Sequence, residues 1–146
     1  MSGTAQAALR EAIAAALRAH APLSGVAVAS KRRRPMAQQV NRQITVDLEQ
    51  SPADTRAVIG LTEWHTRYRI SCMARDVAGV VGEDGADQLV AAAFACLTVP
   101  GAIDNAVMEV RPIAIVWAED EVDNTLAAAH LVLELHHRTS ATSITV

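Results

Sequence analysis

The chain has 146 residues and a net charge of −3, enough length for one domain that buries a core without disulfide or metal staples. Its 51% hydrophobic content owes much to alanine and only 3% to aromatics, so each large aliphatic side chain in the core carries much of the stabilisation, roughly 1.5–3 kcal/mol when fully buried. No apolar run approaches the ~20 residues needed to cross a bilayer, and Arg10, Glu11 and Arg18 interrupt the N-terminal apolar pattern, so neither a membrane span nor a signal peptide is expected.

Thr4–His20 predicts a first helix, with Leu9, Ala12, Ile13, Ala16 and Leu17 at three- and four-residue spacing, Thr4 or Ser2 as cap and Pro22 as terminator. Gly25–Ser30 reads as a short strand, followed by the basic run Lys31, Arg32, Arg33, Arg34 before Pro35. Gln43–Gln50 is a strand with Ile44, Val46 and Leu48 on one side and Thr45, Asp47 and Glu49 on the other. After a turn at Ser51–Asp54, a longer strand runs from Trp64 to Arg75. Its even positions are Trp64, Thr66, Tyr68, Ile70, Cys72 and Ala74, and its odd positions are His65, Arg67, Arg69, Ser71, Met73 and Arg75. Period-two alternation of this kind buries one face and leaves the other for water or a partner.

Gly79–Gly85 reads as a turn before a second helix, Glu83–Val99, whose buried stripe is Leu89, Ala92, Ala93, Cys96 and Leu97, widened by Val90 and Phe94; Pro100-Gly101 stops it. Ala106–Trp117 is extended, and Pro112 within it predicts an edge strand, a bulge or a break. The acidic loop Glu119, Asp120, Glu121, Val122, Asp123, Asn124 leads to a closing strand, Thr125–Arg138, where Ala127, Ala129, Leu131, Leu133 and Leu135 alternate with Ala128, His130, Val132, Glu134 and His136. Residues 139–146 form a Ser/Thr-rich tail, flexible or ordered by a partner. Two helices on one face of a mostly antiparallel sheet of about five strands, an α+β single domain over 1–146, fits this order.

No residue pattern calls for catalysis. The glycine-rich stretch lacks the spacing of a P-loop or dinucleotide turn, and no serine sits in a nucleophile elbow. Catalytic, metal and cofactor sites are therefore all expected to be none. Cys72 and Cys96 lie within apolar patterns and read as buried free thiols, with a disulfide or a metal site as alternatives. His130 and His136 share a strand face but stand roughly 20 Å apart along it, too far to hold one ion; surface or interface histidine is the expectation for them and for His65. The run Lys31–Arg34 suits a solvated loop, an acidic protein partner or DNA phosphates, although no stacking aromatics accompany it. Charge divides along the chain: residues 1–40 hold six basic residues and one acid, the remainder seven basic and fifteen acidic. Opposite charges at separate places favour head-to-tail association.

The strand Trp64-x-Thr66-x-Tyr68-x-Ile70, the helix Gln88–Phe94 ending at Pro100, the segment Ile113-x-Ile115-x-Trp117 and the closing strand Ala127–Arg138 resemble, in order and pattern, the tail terminator (tail completion, minor tail) proteins of long-tailed bacteriophages and prophages. That resemblance implies a homo-hexameric ring on the last ring of the tail tube. Such a ring halts tube polymerisation, offers its other face to a head–tail connector or stopper protein, and passes DNA through its channel without sequence-specific binding. It implies a location in the virion tail and, during assembly, the host cytoplasm, with no cofactor and no membrane partner. Lys31, Arg32, Arg33, Arg34, Glu119, Asp120, Glu121 and Asp123 are then the expected interface residues. Alternatives are another head–tail joining protein (stopper or adaptor), a small bacterial ligand-binding or enzymatic domain, and a DNA-binding accessory protein.

Overall fold

The alternating run around Trp64 becomes the middle strand of a five-stranded sheet. The computed structural model describes residues 3–30, 36, 39–54, 59–77, 79–104, 106–119 and 125–145. In chain order its elements are α1 (Ala5–Ala19), a 3₁₀ turn (Ala21–Leu23), β1 (Ala27–Ala29), β2 (Arg42–Gln50), β3 (Leu61–Arg75), α2 (Gly82–Leu97), β4 (Val107–Glu119) and β5 (Leu126–Ser140). The sheet order is β1-β2-β3-β5-β4. Only β1–β2 is parallel; the other three pairings are antiparallel, so the expected α+β architecture is the observed one.

Both helices lie on one face. α1 packs on β1 and β2, α2 packs on β3 and β5, and the helices touch each other. The core between the layers is the set that alternation singles out: Ile44 and Val46 from β2, Tyr68, Ile70 and Cys72 from β3, and Leu131, Leu133 and Leu135 from β5. Leu9, Ile13 and Leu17 of α1 and Leu89, Ala93 and Leu97 of α2 close it. Thr4 caps α1, its Oγ1 accepting from the Ala7 N–H at 3.1 Å. The Tyr68 hydroxyl crosses the core to donate to the Gln6 carbonyl at 2.6 Å, and burial raises its pKa.

Three details depart from the sequence reading. First, α2 begins at Gly82, one residue before the expected start at Glu83, so Gly82 joins Gly85 inside the helix and the turn ends before it. A Cβ on Gly85 would stand 2.8 Å from the Ala74 Cβ, and one on Gly82 would stand 2.9 Å from the Ala74 carbonyl oxygen. These glycines let the helix come down onto β3. The Asp76 carboxylate accepts from the Gly82 N–H at 2.6 Å and does the work of the missing side-chain cap. Second, Phe94 turns outward from the α2 stripe and is exposed. Third, the outer face of the sheet is not wholly polar: Met73 and Leu126 are buried there with Met36, flanked by Val40 and Ala128.

The last residues return to the first helix. Ala5 donates its N–H to the Ile144 carbonyl at 2.7 Å, and Thr4 pairs with Thr145.

Candidate functional site

Strand β4 overhangs the helix layer. Among the described residues it pairs only with β5, and no strand pairs with its other edge. As Pro112 predicts, its ladder is irregular, shifting register between Val107 and Glu109 and again between Pro112 and Ala114. Beyond the second shift the strand is regular and apolar on both faces. Pairing with β5 puts Ile115 and Trp117 on the helix side and Ala114, Val116 and Ala118 on the other. Val116 and Trp117 are each 52% exposed and Met108 is 47% exposed. Large apolar side chains on both faces of a free edge are what soluble proteins usually avoid, because unpaired N–H and C=O groups there can recruit another strand.

A second feature lies on the outer face, at the far end of the sheet from Met73. The register pairs His65 of β3 with His136 of β5, and Arg67 with Glu134. The two imidazoles stack, centroids 3.9 Å apart and planes within 4°. His65 Nδ1 and His136 Nε2 each lie 3.4 Å from the same oxygen, Oε1 of Glu134. The outer ring nitrogens face other carboxylates: His65 Nε2 is 3.2 Å from Asp54 Oδ2, and His136 Nδ1 is 3.3 Å from Glu109 Oε2. Arg67 Nε is 3.8 Å from the second Glu134 oxygen, and Arg111 is 3.6 Å from Glu109. His65, Glu134 and His136 could hold a metal ion, as could Asp54, Glu63 and His65.

The sequence reading missed this cluster because it measured histidine separations along a strand and not across strands. A signal was present. Matching buried face to buried face in a full antiparallel overlap of the two long alternating runs puts His65 opposite His136. His130, by contrast, sits far down the same face, its Nδ1 2.8 Å from the Ser71 hydroxyl.

On the inner face a polar chain runs from α1 to β5. Gln6 Nε2 donates to the Ser51 Oγ at 3.1 Å, Ser51 Oγ and Thr66 Oγ1 are 2.6 Å apart, and Thr66 Oγ1 is 2.6 Å from His137 Nε2. Each hydroxyl can donate onward if His137 is neutral and accepts at Nε2. Burial, reinforced by the neighbouring His136, lowers the His137 pKa in keeping with that arrangement.

The residues expected at an interface fall mostly outside this description. Lys31, Arg32, Arg33, Arg34, Asp120, Glu121 and Asp123 lie outside the described residues, and of Glu119 only the backbone, at the end of β4, is described. Cys72 and Cys96 are buried free thiols. Burial pushes the Cys72 thiol up to about 12 and raises that of Cys96, which leaves little thiolate for nucleophilic chemistry. Among the described residues no helix is long and apolar enough to cross a membrane.

No protein-family model matches the chain, and no curated protein matches it. Solved structures do. One is a chain of the virion of a native gene transfer agent particle, similar to this chain with a TM-score of 0.67 at 18% identity, over 94% of this chain and 96% of that one. At that identity the likeness establishes a common fold. It extends over nearly the full length of both chains, so it includes β4 and β5 as well as the helix layer.

Proposed function

We propose that this protein is a structural subunit of a phage-like particle, a tail terminator whose ring sits at the head-proximal end of the tail tube. There it stops tube polymerisation and presents a docking surface to the head connector. The observation that carries this reading is the full-length fold likeness to a chain of a gene transfer agent virion. The order and pattern of Trp64–Ile70, Gln88–Pro100, Ile113–Trp117 and Ala127–Arg138 agree with it, and so does an association surface that a solitary enzyme would not need.

Sheet topology suggests how copies meet. β1 and β4 are the two edges of the sheet. In sequence the basic run Lys31–Arg34 starts two residues after β1 ends, and the acidic run Glu119–Asp123 starts at the last residue of β4. Head-to-tail contact between the β1 side of one copy and the β4 side of the next joins opposite charges and an apolar strand in one heterologous interface. Interfaces of that type close into rings when the rotation between copies allows it. The partners are then other copies of this chain in a homo-hexamer, the tail tube protein and a connector or stopper, with DNA passing through the channel.

Deleting the gene from its phage or prophage and measuring tails by electron microscopy tests the assignment. Overlong tubes are expected. Tails of normal length that fail to join heads would instead indicate a stopper or adaptor.

A further inference from the structure

The histidine–carboxylate cluster lies on the outer face of the sheet, reaching β4 only through Glu109, and its geometry is specific. We propose that His65, Glu134 and His136 form a binding site for a divalent transition-metal ion of the zinc class, with Asp54 and Glu109 orienting the two imidazoles.

Four observations converge. First, the donor set is two imidazoles and a carboxylate, which suits Zn²⁺ and its neighbours and leaves one tetrahedral position for water or a donor from another molecule. Second, the donors are already gathered: His65 Nδ1 and His136 Nε2 both lie 3.4 Å from Glu134 Oε1, and one ligand atom from each residue falls within 4.8 Å of the others. Third, each histidine has its far nitrogen against its own carboxylate, His65 Nε2 on Asp54 and His136 Nδ1 on Glu109. That is the carboxylate–histidine–metal arrangement, which fixes the tautomer so that the inner nitrogen is the one left to coordinate. Fourth, His136 Nε2 is buried and finds no hydrogen-bond partner among the described residues, although Glu134 Oε1 is close. A buried nitrogen left unsatisfied beside a carboxylate oxygen has a reason to be there if an ion bridges the two.

The strands make the site stiff. His65 and His136 are directly paired across β3 and β5, and Glu134 is two residues before His136 on the same face. Glu109 enters from β4 and Asp54 from the segment beyond β2, so the cluster draws on four neighbouring stretches of the sheet. Three carboxylates, those of Asp54, Glu109 and Glu134, stand within 3.4 Å of the imidazole nitrogens. As stacked, the rings lie in parallel planes and their in-plane lone pairs do not meet at one point. Coordination requires each ring to turn about its Cβ–Cγ bond, a broad and shallow torsion for histidine.

The test is titration of the full chain, stripped with chelator, with Zn²⁺ and with Co²⁺ near neutral pH. Zinc should bind one ion per chain, Co²⁺ should give the intense visible bands of a tetrahedral site, and the ring signals of His65 and His136 should shift in NMR spectra. His65→Ala combined with His136→Ala should abolish the Co²⁺ bands and weaken Zn²⁺ binding at least a hundredfold. Asp54→Asn or Glu109→Gln should weaken it about ten- to hundredfold. No stoichiometric binding by the wild-type chain would overturn the proposal, as would a double variant that binds as tightly. If the double variant does not fold, the NMR arm decides: movement of His130, His137 or His20 in place of His65 and His136 would refute the site.

Discussion

Gly85 shows how much one hydrogen atom can decide. Alanine is the better helix former by about 1 kcal/mol, yet a methyl at this position would stand 2.8 Å from the Ala74 Cβ and push α2 off β3. Gly85→Ala should therefore destabilise, by roughly 1–3 kcal/mol as overpacked cores do, and a higher urea midpoint would show that the helix has room to rise. Leu133 is fully buried at the centre of β5. Leu133→Ala should lose about 2–5 kcal/mol in equilibrium unfolding; unchanged melting would mean that the faces of β5 are reversed. His137 sets a pH dependence. Its pKa in the fold lies below the ordinary imidazole value of about 6.5, so the native state resists a proton that the unfolded chain accepts. Its contribution is complete above about pH 6.5 and is lost as the pH falls from there toward the folded-state value. His137→Gln should flatten the stability profile over that window, and an equally steep profile in the variant would assign the effect to other groups.

Among the elements, β3 and β5 were the most readable in sequence, because large apolar residues recur at every second position, Tyr68 and Ile70 in one and Leu131, Leu133 and Leu135 in the other, and a strand's side chains change face at every residue. The β4 irregularity was readable too, since Pro112 cannot donate to a ladder. What could not be read directly was pairing. Cross-strand neighbours such as His65 and His136 are 71 positions apart, and the pattern within either run does not say that these two runs pair; once they do, matching buried faces narrows the register. The start of α2 falls at Gly82, one residue before the expected Glu83, for a related reason. Glycine is a turn former by local preference, and only contact with Ala74 explains Gly82 and Gly85 inside a helix. The open end of β4 gives its own prediction. Val116→Lys with Trp117→Glu should leave the fold intact, within about 0.5 kcal/mol as for surface changes, while preventing association with itself or with tail tubes in sedimentation. Undiminished association would take β4 out of the interface.

At the scale of the whole molecule, the account is of an α+β subunit with a closed helix-covered core, an open apolar edge and charge of opposite sign following its two edge strands. The proposed head-to-tail ring rests on that arrangement. Reversing Arg33 and Arg34 to Glu should weaken assembly most at low ionic strength, where unscreened charge guides encounter, and leave the isolated subunit folded. The central claim is that copies of this chain cap a tail tube. It is tested most directly by negative-stain imaging of the purified protein mixed with tail tubes. The account predicts six-fold rings seated on one end of each tube and no further tube growth when tube protein is added. Bare tube ends that continue to lengthen in the presence of excess protein would contradict it.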